Sequence, residues 1–320
     1  MTNEMETKMN KTEKAMQMYC DMMIKTIEGL KEGWRQTWLT TSFGRPTNTD
    51  GRAYNSMNEF LLLMLTEMRG WKFPVFVTFN RAKQMGASVK KGEKSFPVMF
   101  WKLIYKDKDG NIVDDKKDAD KCFPMLRVFD VFNVEQTTIP EECPTYMEKL
   151  AKRYTEPEMK GEEGMYVNDG LDALIAGAWC CPISCKKQDR AFYSQTSDTI
   201  TLPTKEQFNK DDAYVGGMEF YATALHEMAH STGAEKRLNR LAKTTFGSKE
   251  YGREELVAEL TAAICGHELG FNTAVQTNNA AYLSSWLRTI KQEPKFLVSV
   301  LSDVGKAVTM IDEHLQKVVA

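Results

Sequence analysis

Histidine is nearly absent from this sequence, with four in 320 residues, so the position of each one is informative. Long apolar runs are missing as well: no stretch approaches the roughly 18 residues of a membrane helix, which excludes a helical membrane protein. The opening MTNEMETKMNKTEK is polar and lysine-bearing with no apolar segment behind it, so no secretory leader is expected. A cytoplasmic location without a membrane partner follows as the expectation. Seven cysteines scattered from Cys20 to Cys265 form no spaced framework, and reduced thiols are expected. Cys180, Cys181 and Cys185 lack a second CxxC partner and read as structural rather than metal-binding. No sign of charge dominates: 42 Lys and Arg stand against 44 Asp and Glu, a net charge of −2 that excludes a polycationic surface throughout.

What is present divides the chain into modules. The length accommodates two domains, each with its own core. Helical spacing of Met16, Tyr19, Met23, Ile27 and Leu30 predicts a helix from about Lys11 to Lys31. A second helix is predicted from Asn55 or Ser56 to Gly70, carrying Phe60, Leu61, Met64, Leu65 and Met68. VFVTF at 75–79, SFPVMFWKLIY at 95–105 and MLRVFDVFNV at 125–134 read as strands, with KDKDGNIVDDKKDADK as a charged hairpin tip. Residues 139–164 combine prolines with many charges and read as a linker holding one short helix. Beyond it come a strand pair around AFYSQTSDTITLP and helices near 216–232, 250–268, 279–291 and 294–317. The expected fold class is therefore α+β in two domains: an α+β domain over 1–138, the linker, and a mostly helical domain with a small sheet over 165–320.

Two of the four histidines stand in ALHEMAHSTG, residues 224–233. On a helix, positions i and i+4 lie about 40° apart, so His226 and His230 present both imidazoles to one point. Glu227 falls beside them, where it can hold a water and take its proton. Two nitrogens do not complete a zinc site, and a third protein ligand is needed. The pattern HExxHxxGxxH matches as far as Gly233, but its last position is Lys236, a cation that cannot ligate. A carboxylate from GREELVAELTAAICGHELG is the better candidate. Glu255 as ligand, with Glu259 one turn later orienting a histidine, fits the gluzincin layout, and Glu254 is the alternative ligand. The cofactor expected is one Zn2+, with another divalent ion as the alternative. Tyr251 and Tyr221 are candidates to stabilise an oxyanion.

The front half hides a local basic field. From Gly70 to Tyr105 seven cations face Glu93 alone, a balance of +6. Single-stranded nucleic acid is bound by aromatic rings that stack on bases and cations that meet phosphates. Trp34, Arg35, Trp38, Arg45, Arg52 and Tyr54 lie around one loop-rich segment, and Lys83, Lys90, Lys91 and Lys94 follow in RAKQMGASVKKGEK. These are the candidate DNA-binding residues.

In the same order along the chain, GWRQTW, GRPTNTDGRAYNSMNEFLLL, VFDVFNVEQT, YATALHEMAHSTG, the RLNR at 237–240 and FGSKEYGREELVAELTAAI resemble the ArdC-type antirestriction proteins of conjugative plasmids. The resemblance implies a single-stranded-DNA-binding front domain, a zincin-like metallopeptidase rear domain and protection of transferred DNA from host restriction. It makes His226, His230 and Glu255 metal ligands and Glu227 the catalytic glutamate. One departure is Ser231, where relatives often carry tryptophan. Two functions compete: a DNA-tethered peptidase acting on a host protein, or a non-catalytic coat for single-stranded DNA in which the zinc domain is scaffold.

Overall fold

The computed structural model of the chain describes residues 11–31, 44–54, 56–114, 116–154, 164–208, 213–241, 249–271 and 283–319. Helix α1 (Lys11–Lys31) buries Ala15, Tyr19, Met22, Met23 and Ile27, the face its spacing predicts, with Met16 at the margin. Helix α2 (Ser56–Arg69) is buried on more than one face, Phe60 to Leu65 without a break, whereas Met68 is 49% exposed. Sheet and helices flank it together, so a one-sided apolar stripe would not suffice.

Five strands form the front sheet: β1 (Thr47–Asn48), β2 (Val75–Val77), β3 (Phe96–Lys106), β4 (Ile112–Val113) and β5 (Lys121–Asn133), in the order β1-β2-β5-β3-β4. β1 and β2 are parallel, and the remaining pairs are antiparallel. β2 is shorter than its sequence suggests because Thr78 leaves the strand to cap α3 (Phe79–Gln84), its hydroxyl accepting from Arg81 N at 3.3 Å. β3 and β5 pair from Phe96↔Val131 to Lys106↔Lys121, a long arm to which part of the expected hairpin tip adds as β4.

The segment predicted as linker begins with two packed helices, α4 (Ile139–Glu142) and α5 (Pro144–Arg153). Ile139, Leu150 and Tyr154 share an apolar cluster with Phe73, Val75 and Val77 of the front sheet. Tyr154 Oη also donates to Arg45 O at 3.0 Å, which ties this segment to the front half physically.

In the rear half, α6 (Asp169–Ala173) precedes a three-stranded sheet of β6 (Ile183–Lys186), β7 (Phe192–Ser194) and β8 (Thr199–Pro203), ordered β6-β8-β7. β6 was not foreseen, and it pairs parallel to β8. Four helices follow: α7 (Ala213–Thr232), α8 (Lys249–Glu268), α9 (Leu283–Gln292) and α10 (Pro294–Val319). α7 packs on α8, α10 packs on both α8 and α2, and α1 packs on α9, so one apolar core runs through both halves. At this seam Arg45 reaches Glu59, Glu268 and Asp312, each at 2.8 Å. Burial raises the Glu268 carboxyl well above its ordinary range, and the neighbouring Glu59 carboxylate adds to the shift. None of the described helices is long and apolar enough to cross a membrane.

Candidate metal centre

The sequence places His226 and His230 one turn apart on α7, and packing of α8 against α7 brings Glu255 to them. The two Nε2 atoms stand 3.0 Å apart. Glu255 Oε2 is 3.5 Å from His226 Nε2, and Oε1 is 3.6 Å from His230 Nε2. Ligand bonds of about 2.0–2.1 Å in tetrahedral geometry separate the ligand atoms by about 3.3 Å, close to the spacing of the two nitrogens and to the approach of each nitrogen to its own Glu255 oxygen. Among the described residues this is the one group of His, Cys, Asp or Glu with ligand atoms all within 4.8 Å of one another. The donor set, two imidazoles and a carboxylate, suits a divalent cation of borderline softness.

Electrostatics ask for positive charge at the same point. Burial opposes protonation of His230, but Glu254 and Glu255 outweigh it and push its pKa up to about 10. Burial likewise opposes ionisation of Glu255, yet its histidine partners hold its carboxyl far below the usual range.

The adjacent carboxylates Glu254 and Glu255 have different neighbours. Glu254 Oε1 is 3.5 Å from Nδ1 of His230, on the side of the ring away from Glu255. It is clamped by Arg240, whose Nε donates to Oε2 at 3.1 Å and Nη2 to Oε1 at 2.8 Å, with both side chains only 4% exposed. Arg240 also donates from Nη1 to Thr232 Oγ1 and from Nη2 to Ala229 O, both at 2.9 Å, closing the C-terminal end of α7. At His230 it is thus Glu254, and not Glu259 as the sequence suggests, that stands against the ring nitrogen away from Glu255. Glu259 is buried one turn beyond Glu255, and Nδ1 of His226 has no hydrogen-bond partner. Sequence reasoning weighed Glu254 only as a ligand and did not weigh Arg240. The signal was RLNR itself, two arginines three apart shortly after HEMAH.

Arg237, the other arginine, donates from Nε to Ser231 O at 2.6 Å and pairs with Asp198, which also accepts from Tyr193 Oη at 2.7 Å. Lys236, which excluded the third-histidine pattern, pairs with the same Asp198 at 2.7 Å. Ser231 accepts from Trp179 Nε1 at 2.9 Å, both side chains buried. Gly233 is required by close approach, since a Cβ there would stand 3.0 Å from Leu241 Cγ, 3.1 Å from Arg240 Nη2 and 3.1 Å from His230 O.

Glu227 is buried beside the cluster and makes no hydrogen bond or ion pair with any described residue. Tyr221 is engaged elsewhere: its hydroxyl donates to Asp172 at 2.8 Å and accepts from Lys205 at 2.8 Å and from Asn168 N at 3.1 Å. Tyr251 is half-buried on the first turn of α8, four residues ahead of Glu255.

Of the front residues, Trp34, Arg35 and Trp38 lie outside the described residues. Lys83, Lys90, Lys91, Lys94 and Arg52 are exposed, and Lys90 pairs with Glu141 at 3.2 Å. Tyr54 is buried, with its ring against Phe76 and Phe100, which leaves no face for a base. Arg45 is committed to the seam.

Residues 13–132 match the N-terminal domain of anti-restriction factor ArdC, and residues 171–302 match the zincin-like metallopeptidase family. Two DNA primases TraC of Escherichia coli are 33% and 31% identical over 88% of this chain, which spans only 19% and 26% of their lengths. Protein y4eC of Sinorhizobium fredii is 26% identical over 88% of the chain and 85% of its own length. The crystal structures of antirestriction protein ArdC from plasmid R388, metal-free and Mn(II)-bound, are similar throughout, with TM-scores of 0.71 and 0.67 at 26% and 25% identity. They are matched over 94% of this chain and over 98% and 97% of theirs. With an ArdC N-terminal domain joined to a zincin-like metallopeptidase domain, the chain belongs to the ArdC antirestriction family.

Proposed function

We propose that this is a single-stranded-DNA-binding antirestriction protein of a mobile element, acting in the cytoplasm, whose rear domain is a zinc metallopeptidase directed at a host protein. The observation that carries the catalytic half is the convergence of His226, His230 and Glu255, whose separations suit one tetrahedral ion. When bound, Zn2+ would act as a Lewis acid toward a peptide carbonyl and lower the pKa of a water. The protein's own groups do the rest. Glu227, buried and without a hydrogen bond or ion pair among the described residues, takes the proton from the attacking water and returns it to the leaving amine. Glu254, held by Arg240, fixes the tautomer and orientation of His230. Tyr251 is assigned to hydrogen-bond the developing oxyanion.

The binding half is supported by the exposed Lys83, Lys91 and Lys94 and by the turn at Gly92, whose φ of 90° bends the chain between Lys91 and Glu93. Arg52 adds a further exposed cation, and Lys90 is shared with Glu141. The front and rear roles are tested together with Glu227→Gln, which keeps the side-chain shape but replaces the basic carboxylate with a neutral carboxamide. The expected result is intact metal content and DNA affinity with loss of peptidase activity and of protection during DNA transfer. Full protection by this variant would instead make the chain a coat for single-stranded DNA with a scaffolding zinc domain.

A further inference from the structure

The arm formed by β3 and β5 carries a surface that none of the roles above uses. Its base is held from one side: Tyr19 Oη donates to Pro97 O at 2.5 Å, and the Asn58 side chain bonds both N and O of Met99, at 2.8 and 2.6 Å. These bonds hold the backbone edge of β3, where the half-buried Pro97 and the buried Met99 share one face of the strand. Side chains alternate along a strand, and directly opposed residues share a face. The register sets Phe129 opposite Val98, Arg127 opposite Phe100, Phe123 opposite Ile104 and Lys121 opposite Lys106, all on the other face. There Val98 and Ile104 are buried, while Phe100, Phe123 and Phe129 are 36%, 36% and 48% exposed, which is unusual for phenylalanine.

These rings are already arranged for contact with planar groups. Phe100 and Phe129 stand edge to face with centroids 5.8 Å apart, and the buried Tyr54 supports Phe100 from behind at 6.2 Å. Phe123 has Lys106 Nζ 5.4 Å from its ring centre. Phe123 and Phe129 are six residues apart on β5, or about 20 Å along an extended strand at ~3.4 Å per residue. Arg127 and Lys121 are exposed between and beyond them. The nearest acidic strand residue, Asp130, lies opposite Pro97 and so faces the other way. Aromatics interleaved with cations, free of carboxylates, match a chain of planar bases joined by phosphates.

We infer that this face of the β3–β5 arm is a stacking platform for single-stranded DNA, with Phe100, Phe123 and Phe129 stacking on bases while Arg127, Lys106 and Lys121 meet the phosphates. The inference rests on the reading that the front domain binds single-stranded DNA, and it relocates the stacking residues from the loop-rich segment to the sheet. Duplex DNA, whose bases are already stacked, gains nothing from the rings.

The test uses the full chain, a fluorescein-labelled oligothymidine of about 20 nucleotides and a duplex of equal length, followed by anisotropy across a salt series. Phe129→Ala and Phe123→Ala are each expected to weaken single-strand binding about 5- to 150-fold with the salt slope unchanged. Arg127→Ala is expected to flatten that slope by about 0.7. Ultraviolet crosslinking of the unaltered chain to the same oligonucleotide is a measurement that needs no variant, and adducts are expected within residues 96–106 and 121–133. Wild-type affinity in both phenylalanine variants with crosslinks elsewhere overturns the platform while leaving DNA binding intact. Variants that convert a dimer into a monomer at unchanged DNA affinity also overturn it, making the arm a contact between copies. Failure of the unaltered chain to bind the oligonucleotide overturns the underlying reading as well.

Discussion

Arg240→Leu should be among the most damaging substitutions in the rear half that touch no proposed metal ligand. The guanidinium and the Glu254 carboxylate are each 4% exposed and joined by two bonds of 2.8 and 3.1 Å. Removing one partner strands a buried carboxylate, which costs about 3–5 kcal/mol. The Thr232 and Ala229 oxygens also lose their donor, adding about 0.5–1.5 kcal/mol each. In Arg240→Leu, Glu254→Leu the stranded charge disappears, leaving about 1–3 kcal/mol from those two bonds, while His230 loses its orienting carboxylate and metal affinity falls about 10- to 100-fold. Urea denaturation of the metal-free protein reads the stability of the wild type, both single variants and the double variant. Competition with a chromophoric chelator reads the affinity. A single-variant cost under about 1 kcal/mol would refute the buried-charge argument. A double variant that binds metal like the wild type would refute the orienting role of Glu254. The contribution also has a pH window: bonds from His230 and Arg240 outweigh burial and hold the Glu254 carboxyl below its ordinary value. A depressed carboxyl pKa stabilises the fold above the unfolded value of about 4.3 and ceases to do so as pH falls through the folded one.

His226→Ala should take bound metal, measured by elemental analysis of the purified protein, from one ion per chain to none. Glu227→Gln should leave that stoichiometry unchanged and lower peptide hydrolysis about 10²- to 10⁴-fold in a fluorogenic assay, and equal turnover would remove Glu227 from the mechanism. Lys91→Ala with Lys94→Ala should weaken binding to all single-stranded sequences alike and reduce the salt slope by about 1.4, the sum for two phosphate contacts. Gly233→Ala should destabilise by about 1–3 kcal/mol in thermal denaturation, because its methyl group would meet Leu241, Arg240 and the His230 carbonyl at 3.0–3.1 Å.

Much of the centre was legible because its elements are local. HEMAH lies on one helix, so spacing alone brings two imidazoles together, and the 20-residue helix α8 was the source of the carboxylate. Assigning Glu254 and Glu255 their separate neighbours required the rotation of α8 against α7, a packing property that a helix hydrophobic and polar on all sides does not reveal. Arg240 was harder to read for the opposite reason: its carboxylate partner lies 14 residues further along the chain, and an arginine met in sequence ordinarily reads as solvated. In the front half, periodicity located α1, α2 and the long strands. It does not say which aromatics are covered: Tyr54 is buried and Phe100 is 36% exposed, a difference set by the fold and not by residue type.

The ion cluster of Arg45 with Glu59, Glu268 and Asp312 joins α2 of the front half to α8 and α10 of the rear, amid a core common to both. Parting the two halves would bare the apolar flank of α2 and leave Glu268 and Asp312 without Arg45, which would stay with Glu59. The two halves should therefore melt in a single transition, and a lesion on either side should be inherited by the other. A destabilised front half lowers the folded population of the rear half without touching His226, His230 or Glu255, so whatever each half does rests on one shared reserve of stability.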